Sequence, residues 1–342
     1  MSRLVLMDPS YEAFNADKLF EVGKSAINRD NQLAAYARAK EDLNEIGSVV
    51  HTFDMFQRGQ LDVSGYEQID YFSFGLVRNF CDPCFKDLSL KAFVMMEPPT
   101  VLPGLYQRLP ELSSVFQSVY LPNTYGDQYE TNGVDLSRLK QIYWPISYNM
   151  VDHSLWNNTS RSSKLVVING NHKPLNRTAE LYSERIRLIV ELQKLNYVDL
   201  WGRGWDKLLS RSSLWAPFLK NYQKIQSVFR GVSASKYETL SQYEFCLCFE
   251  NTKMNGYVSE KIFDCFVAGT IPIYLGAPDV TDLIARDAFI DFRDFSGGGE
   301  LKEYLDKLTP KEKGLMKIAG KRFLESKKTD KFFNFVSELT RV

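Results

Sequence analysis

Asn251, Tyr257, Glu260 and Lys261 follow one another at short spacing after an apolar run, a pattern suited to holding an anion. In that run Phe245, Leu247 and Phe249 alternate with Cys246 and Cys248, so residues 245–249 read as a strand buried on both faces. The loop 251–258 is polar and holds Gly256; Ser259 is a good N-cap, and Glu260 follows it in the first turn. Ile262, Phe263, Phe266 and Val267 recur at helical spacing, Gly269 closes the helix, and residues 270–275 give a second apolar strand. This is a parallel βαβ unit, and open α/β sheets bind ligands in the crevice beyond the carboxyl end of the first strand. Unpaired N–H groups and the positive end of the helix dipole favour a phosphate there, and Lys261 adds a full charge. An unliganded βαβ unit with a solvated loop is the other reading, because this supersecondary unit is common.

The remaining elements have to carry that stretch. At 342 residues the chain has room for two domains. In the first half, residues 4–7, 49–53, 69–76 and 90–96 read as strands. Helical patterns cover 32–46 and 105–116, and short extended pieces lie near 119–121 and 141–146. Residues 154–163, rich in Ser and Asn, are the best candidate linker. A second βαβ unit then runs through a strand at 164–168, a helix at 178–195 and a strand at 197–201. The expected division is therefore 1–155, 164–330 and a tail 331–342, in which Phe332, Phe333 and Phe335 are available for docking. The turn Gly202-Arg203-Gly204-Trp205-Asp206-Lys207 lacks the third glycine of a dinucleotide-binding fingerprint, which argues against a dehydrogenase.

Three runs carry a resemblance. Phe249-Glu250-Asn251, Gly256-Tyr257-Val258-Ser259-Glu260-Lys261 and Ile271-Pro272-Ile273-Tyr274-Leu275-Gly276 together resemble the donor-binding signature of the α-1,3/4-fucosyltransferases, glycosyltransferase family 10, in its soluble bacterial form. The resemblance implies an α/β protein of GT-B architecture, two Rossmann-like domains facing each other across a cleft. Acceptor binding would fall to the N-terminal domain and nucleotide-sugar binding to the C-terminal one. It implies an inverting transfer of fucose from GDP-fucose to a glycan hydroxyl, with an α-1,3 linkage.

Site residues follow from the same resemblance. Asn251, Tyr257, Lys261 and Arg185 would hold the donor diphosphate, and Glu260 the ribose hydroxyls. Arg185 fits the family's spacing with Leu188 and Leu192, and a guanidinium suits phosphate. Its helix also carries Arg187, Lys194 and Glu184, so a solvated helical charge is the competing reading, with Arg177 as the alternative phosphate ligand. Met96-Glu97-Pro98-Pro99 resembles the segment whose Glu is the family's proposed base; an ordinary strand-terminal acid is the alternative. Glu250 is a second charged group that could lie nearest the sugar ring. No Asp-x-Asp occurs, so no metal or other cofactor is expected, and Lys261, Arg185 and helix dipoles would neutralise the leaving group.

Lys plus Arg and Asp plus Glu number 42 each, which argues against a nucleic-acid partner. The start of the chain, Met1 to Asp8, is too short and too soon interrupted by charge for a secretory signal. No apolar run approaches about 18 residues, and the odd cysteine count fits a reducing compartment. A cytoplasmic protein is expected, with peripheral association at the inner membrane left open. Cys81-Asp82-Pro83-Cys84 has the form of a redox or zinc site, but no second pair follows, and structural thiols are the expectation. Lipopolysaccharide, capsule and other surface glycans or glycolipids all stay open as acceptors. Two rivals remain: another nucleotide-deoxysugar donor such as GDP-colitose, and a non-catalytic sugar-nucleotide-binding subunit.

Overall fold

Arg3–Pro9 (β1) is buried at nearly every position, as a strand covered on both faces must be. The computed structural model that places it describes residues 2–23, 25–208 and 214–341, so the outer bounds 1 and 342 of the expected domains lie outside the described residues. β1 is flanked by Ser48–Thr52 (β2) and Gln68–Phe74 (β3), and the sheet continues through Ser89–Val94 (β4), Ser118–Leu121 (β5) and Leu139–Gln141 (β6). The order is β2-β1-β3-β4-β5-β6, with every pair parallel. The second sheet comprises Ser162–Ile168 (β7), Val198–Trp201 (β8), Tyr243–Phe249 (β9), Ile271–Leu275 (β10) and Ile290–Asp291 (β11). Its order is β11-β10-β9-β7-β8, again parallel throughout. In each sheet the order in which strands are added reverses once, between β1 and β3 and between β7 and β9, and such switch points open crevices at the carboxyl ends of strands.

The chain divides into one unit of residues 1–147 with 330–342 and another of residues 148–329. This differs from the expected boundaries in two places, each for a packing reason. Residues 154–163 are not a linker: His153–Trp156 forms a helical turn capped by Asp152. Arg161 then donates to the carbonyls of Leu155, Tyr243 and Ala268, at 2.8, 3.1 and 2.8 Å. The segment is thereby stitched into the second unit. Nor do the last residues form a separate tail. Phe335, Val336 and Leu339 are buried in one core with Val5, Met7, Ala35, Ala39, Leu43 and Phe72 of the first unit. Arg38 donates to Phe333 O at 2.7 Å and lies 3.6 Å from the centroid of its ring. Fully burying a side chain of this kind is worth about 1.5–3 kcal/mol, so three of them rival the net stability of a whole domain. Removing residues 335–342 is expected to abolish cooperative thermal unfolding of the first unit, with that of the second retained; two unchanged transitions in calorimetry would contradict this.

Two helices are shorter than the sequence pattern suggests. The stretch 105–116 splits into Pro103–Tyr106 and Leu109–Val115, because Pro110 supplies no N–H and crowds the preceding turn. The helix expected from 178 begins at Tyr182. Residues 179–181 instead pair with the loop after β9: Lys253 N donates to Ala179 O at 2.9 Å and Leu181 N to Asn251 O at 3.1 Å.

Candidate functional site

β9 is buried at all positions but Glu244, and it delivers Glu250 and Asn251 to the carboxyl edge of its sheet beside the β7/β9 switch point. The loop that follows is shaped by Gly256, whose φ of 73° is the left-handed conformation and whose N–H meets both Asp279 carboxylate oxygens at 3.0 Å. The helix Glu260–Ala268 starts after Ser259 and ends on Gly269, which has a φ of 69°. A Cβ at Gly269 would lie 2.6 Å from the Trp156 ring, so a side chain is excluded there on two grounds.

Ser259 occupies the N-cap position, but its side chain does not cap. Its hydroxyl donates to Glu250 Oε2 at 2.7 Å, and its N–H donates to Glu250 Oε1 at 2.8 Å. Lys261 Nζ donates to the same Oε2 at 3.1 Å and to Ser259 Oγ at 2.8 Å. Glu250 is fully buried, and Gly276 is packed against it: a Cβ there would meet Glu250 Cγ and the Tyr274 hydroxyl, each at 2.5 Å. Burial alone would lower the Lys261 ammonium, yet Glu250 and Glu260 hold it above the ordinary lysine range. The Glu260 carboxyl is raised by burial but held below its ordinary value by Lys261 and Lys236.

Arg185 is 2% exposed, which removes the reading of a solvated helical charge. It leaves the second turn of helix Tyr182–Lys194 and donates through Nη2 to Phe249 O at 2.8 Å and Glu250 O at 3.0 Å. Its Nε has no partner among the described residues. Burial lowers its pKa, opposed by Tyr182 and Glu250; it stays charged because a guanidinium is effectively always protonated. Arg187, by contrast, is exposed and pairs with Glu184. Arg177 is exposed and precedes the helix. Asn251 donates to the Tyr257 hydroxyl at 3.4 Å, and Tyr257 is 2% exposed. The structure thus brings Arg185, Glu250, Asn251, Tyr257, Glu260 and Lys261 together at one sheet edge. Arg185 and Lys261 are balanced by Glu250 and Glu260, so these four groups carry no formal net charge.

Glu97 belongs to the other unit, three residues beyond the end of β4 and on the carboxyl side of a parallel sheet. Its side chain is half-buried. The Tyr106 hydroxyl donates to its carbonyl at 3.1 Å, and Pro98 opens the turn that follows.

A buried carboxylate lies on the same helix as Glu260. Asp264 is pushed up to about 6 by burial, with Lys236 opposing and Glu260 adding. Its folded-state value lies above that of the unfolded chain, so between about pH 4 and pH 6 the native state holds the extra proton. Its contribution to stability is present below that window and lost as the pH rises through it. Asp264→Asn is expected to gain on the wild type by up to about 3 kcal/mol between pH 4 and pH 7 in urea denaturation. A pH-independent difference would remove Asp264 as the source.

Cys81 and Cys84 of the first unit are both free thiols. Burial, and then Asp82, push the Cys84 thiol up to about 11, the opposite of an activated thiol. Two residues escaped notice in the sequence: Asn171, taken up below, and Ser259 in its role as a link between Glu250 and Lys261.

Two doubly wound α/β units are the architecture of GT-B glycosyltransferases. The chain resembles WaaG, a glycosyltransferase involved in lipopolysaccharide biosynthesis, with a TM-score of 0.53 and 9% identity over 99% of each chain. It also resembles Anabaena HepE in complex with UDP, with a TM-score of 0.54 and 12% identity over 99% of this chain and 98% of that one. At such identities the likeness concerns the fold. Residues 171–319 match the model of glycosyltransferase family 10 (fucosyltransferase) C-term. Helicobacter pylori alpha-(1,3)-fucosyltransferase FucT is 46% identical over 71 residues, 21% of this chain and 15% of the relative's length. Arg185, Glu250, Asn251, Tyr257, Glu260 and Lys261 fall within the matched segment, and Glu97 falls before it.

No helix among the described residues is long and apolar enough to cross a membrane.

Proposed function

We propose that the chain is an inverting glycosyltransferase that moves fucose from GDP-fucose to a hydroxyl of an acceptor glycan. The observation that carries this reading is the Arg185–Glu250–Lys261 assembly at the end of β9, inside the segment matched to the fucosyltransferase family. Arg185 Nε has a donor to spare. Lys261 spends two of its three ammonium hydrogens on Glu250 and Ser259, which leaves one. Both would meet diphosphate oxygens, with Asn251 and Tyr257 beside them and the N–H groups of the helix start behind. Glu260 Oε2, buried and without a hydrogen-bond partner among the described residues, would accept from a ribose hydroxyl. Glu250, with both oxygens occupied inside the protein, is assigned to holding Lys261 and Ser259, not to touching the sugar.

In the reaction the acceptor oxygen forms a bond to the anomeric carbon while the bond from that carbon to the β-phosphate oxygen breaks. Glu97 takes the proton from the acceptor hydroxyl, and GDP leaves with the bonding pair. Charge growing on the departing phosphate is met by Arg185 and Lys261, fixed before the reaction begins. No metal is assigned a part, and transfer is expected to persist in a chelator. The linkage is assigned as α-1,3, in keeping with the name of the H. pylori alpha-(1,3)-fucosyltransferase; the acceptor is assigned as a surface polysaccharide or lipopolysaccharide, reached in the cytoplasm at the inner membrane.

The test is a donor panel offered to the full chain. Transfer from GDP-fucose, with an α-linked product by NMR, is the expected result. The phosphate ligands do not read the hexose, so turnover confined to GDP-colitose or another nucleotide-sugar would overturn the fucose assignment. Donor binding without transfer to any glycan on an array would point instead to a non-catalytic binding subunit.

A further inference from the structure

The loop after β7 holds a polar group that the chemistry above does not use. Asn171 is 2% exposed. Its backbone N–H donates to Arg203 O at 2.9 Å, and its side-chain nitrogen donates to Gly204 O at 3.2 Å. A carbonyl can only accept, so the second bond fixes which end of the amide is nitrogen. Oδ1 is left as the other end, and it has no hydrogen-bond partner among the described residues. Buried acceptors are nearly always paired in folded proteins. One left open in a rigid setting is a feature of sites built to bind a ligand N–H or O–H.

The setting is rigid. Gly202 has a φ of 142°, and a Cβ there would lie 1.9 Å from Asn169 O, so only glycine lets the two loops approach. Trp205 Nε1 donates to that same Asn169 oxygen at 2.6 Å, and Gly202 N donates to Gly231 O at 2.9 Å. Asn171 is therefore clamped between the loop after β7 and the turn after β8.

Its place in the sheet indicates what it would meet. β9, β7 and β8 are neighbours in that order. Strand spacing puts the end of β8 about 10 Å from the end of β9, where the diphosphate is assigned. Three buried atoms without a hydrogen-bond partner among the described residues lie in the loops and helices at this edge: Glu260 Oε2, Arg185 Nε and Asn171 Oδ1. Acceptor, donor and acceptor match in turn the hydroxyls of a ribose, the oxygens of a phosphate and an N–H edge of a base.

We infer that Asn171 reads the nucleobase, its Oδ1 accepting from the N1–H and N2–H edge of guanine, and that it sets base specificity for the donor. The inference rests on the GDP-sugar reading above.

Calorimetric titration of the full chain with GDP, IDP, 1-methyl-GDP and 7-deaza-GDP tests it. The wild type is expected to bind 7-deaza-GDP like GDP. IDP and 1-methyl-GDP, which alter the donor edge, should bind roughly 10- to 100-fold more weakly. Asn171→Ala should weaken GDP binding by a similar factor and bind GDP and 1-methyl-GDP alike, with its fold checked by thermal unfolding. The wild-type series stands even if that variant does not fold. Equal wild-type affinity for GDP, IDP and 1-methyl-GDP, or an Asn171→Ala protein that keeps the preference, would overturn the inference while leaving the donor reading intact. A wild type that binds no GDP at all would overturn both.

Discussion

Glu97→Gln is expected to lower transfer by roughly 100- to 10,000-fold, the range in which a positioned general base contributes. Glutamine keeps the shape of the side chain but cannot take a proton from the acceptor hydroxyl. The Tyr106 hydroxyl bonds to the carbonyl of residue 97, a contact that the substitution leaves in place. Donor affinity should stay near that of the wild type, since the assigned donor ligands lie in the unit 148–329 and Glu97 in the other. The loss should therefore appear in kcat, with KM for GDP-fucose little changed. A variant that transfers within about tenfold of the wild type would take Glu97 out of the mechanism and return it to an ordinary acid at a strand end.

The two halves of the assigned machinery differ in how openly the sequence displays them. Residues 245–276 read correctly as strand, loop, helix and strand because local cues agree. Apolar alternation, Ser259 at the helix start and Gly269 at its end all specify the same element boundaries. What the helix start does with its side chains was not legible. The Ser259 hydroxyl and Lys261 turn to Glu250, up to eleven residues earlier in the chain, and that choice depends on how the loop folds back.

Arg185 was singled out by its spacing with Leu188 and Leu192, but its burial was equally opaque. Its neighbours Glu184 and Arg187 give its helix the composition of a solvated face, yet residues 179–181 pair with 251–253 and Arg185 lies inward on the end of β9. The return of residues 330–342 to the first core is a contact between positions nearly three hundred residues apart, as in Arg38 to Phe333. No local pattern carries such information. Asn171 had no signal at all, because a short amide in a polar loop acquires meaning only from the turn it is pressed against.

Glu250 presents a physical conflict. A buried carboxylate beside an assigned diphosphate site should repel the ligand. At an effective dielectric of about 20 and a few ångströms, one unit of charge is worth roughly 3–4 kcal/mol. Against that, removing one partner of a buried ion pair costs about 3–5 kcal/mol, because the other is left unbalanced. Here the remaining partner, the Lys261 side chain, is only 18% exposed. In the free protein only the more distant Glu260 carboxylate, 3.9 Å away, is left beside Lys261, so Glu250→Gln is expected to lower the melting temperature of the second unit by about 2–4 °C for each kcal/mol lost. With GDP bound the two effects oppose each other, since the diphosphate then supplies the missing negative charge to Lys261 and no longer faces a carboxylate. The variant should thus be less stable than the wild type alone, yet gain more stability from saturating GDP. A carboxylate that contacts the sugar ring predicts a different pattern: an unchanged melting temperature without ligand, and a defect seen with GDP-fucose but not with GDP. Thermal melts of both proteins, free and with each ligand, separate the two roles, and equal melting temperatures without ligand would dismiss Glu250 as the counterion that holds Lys261.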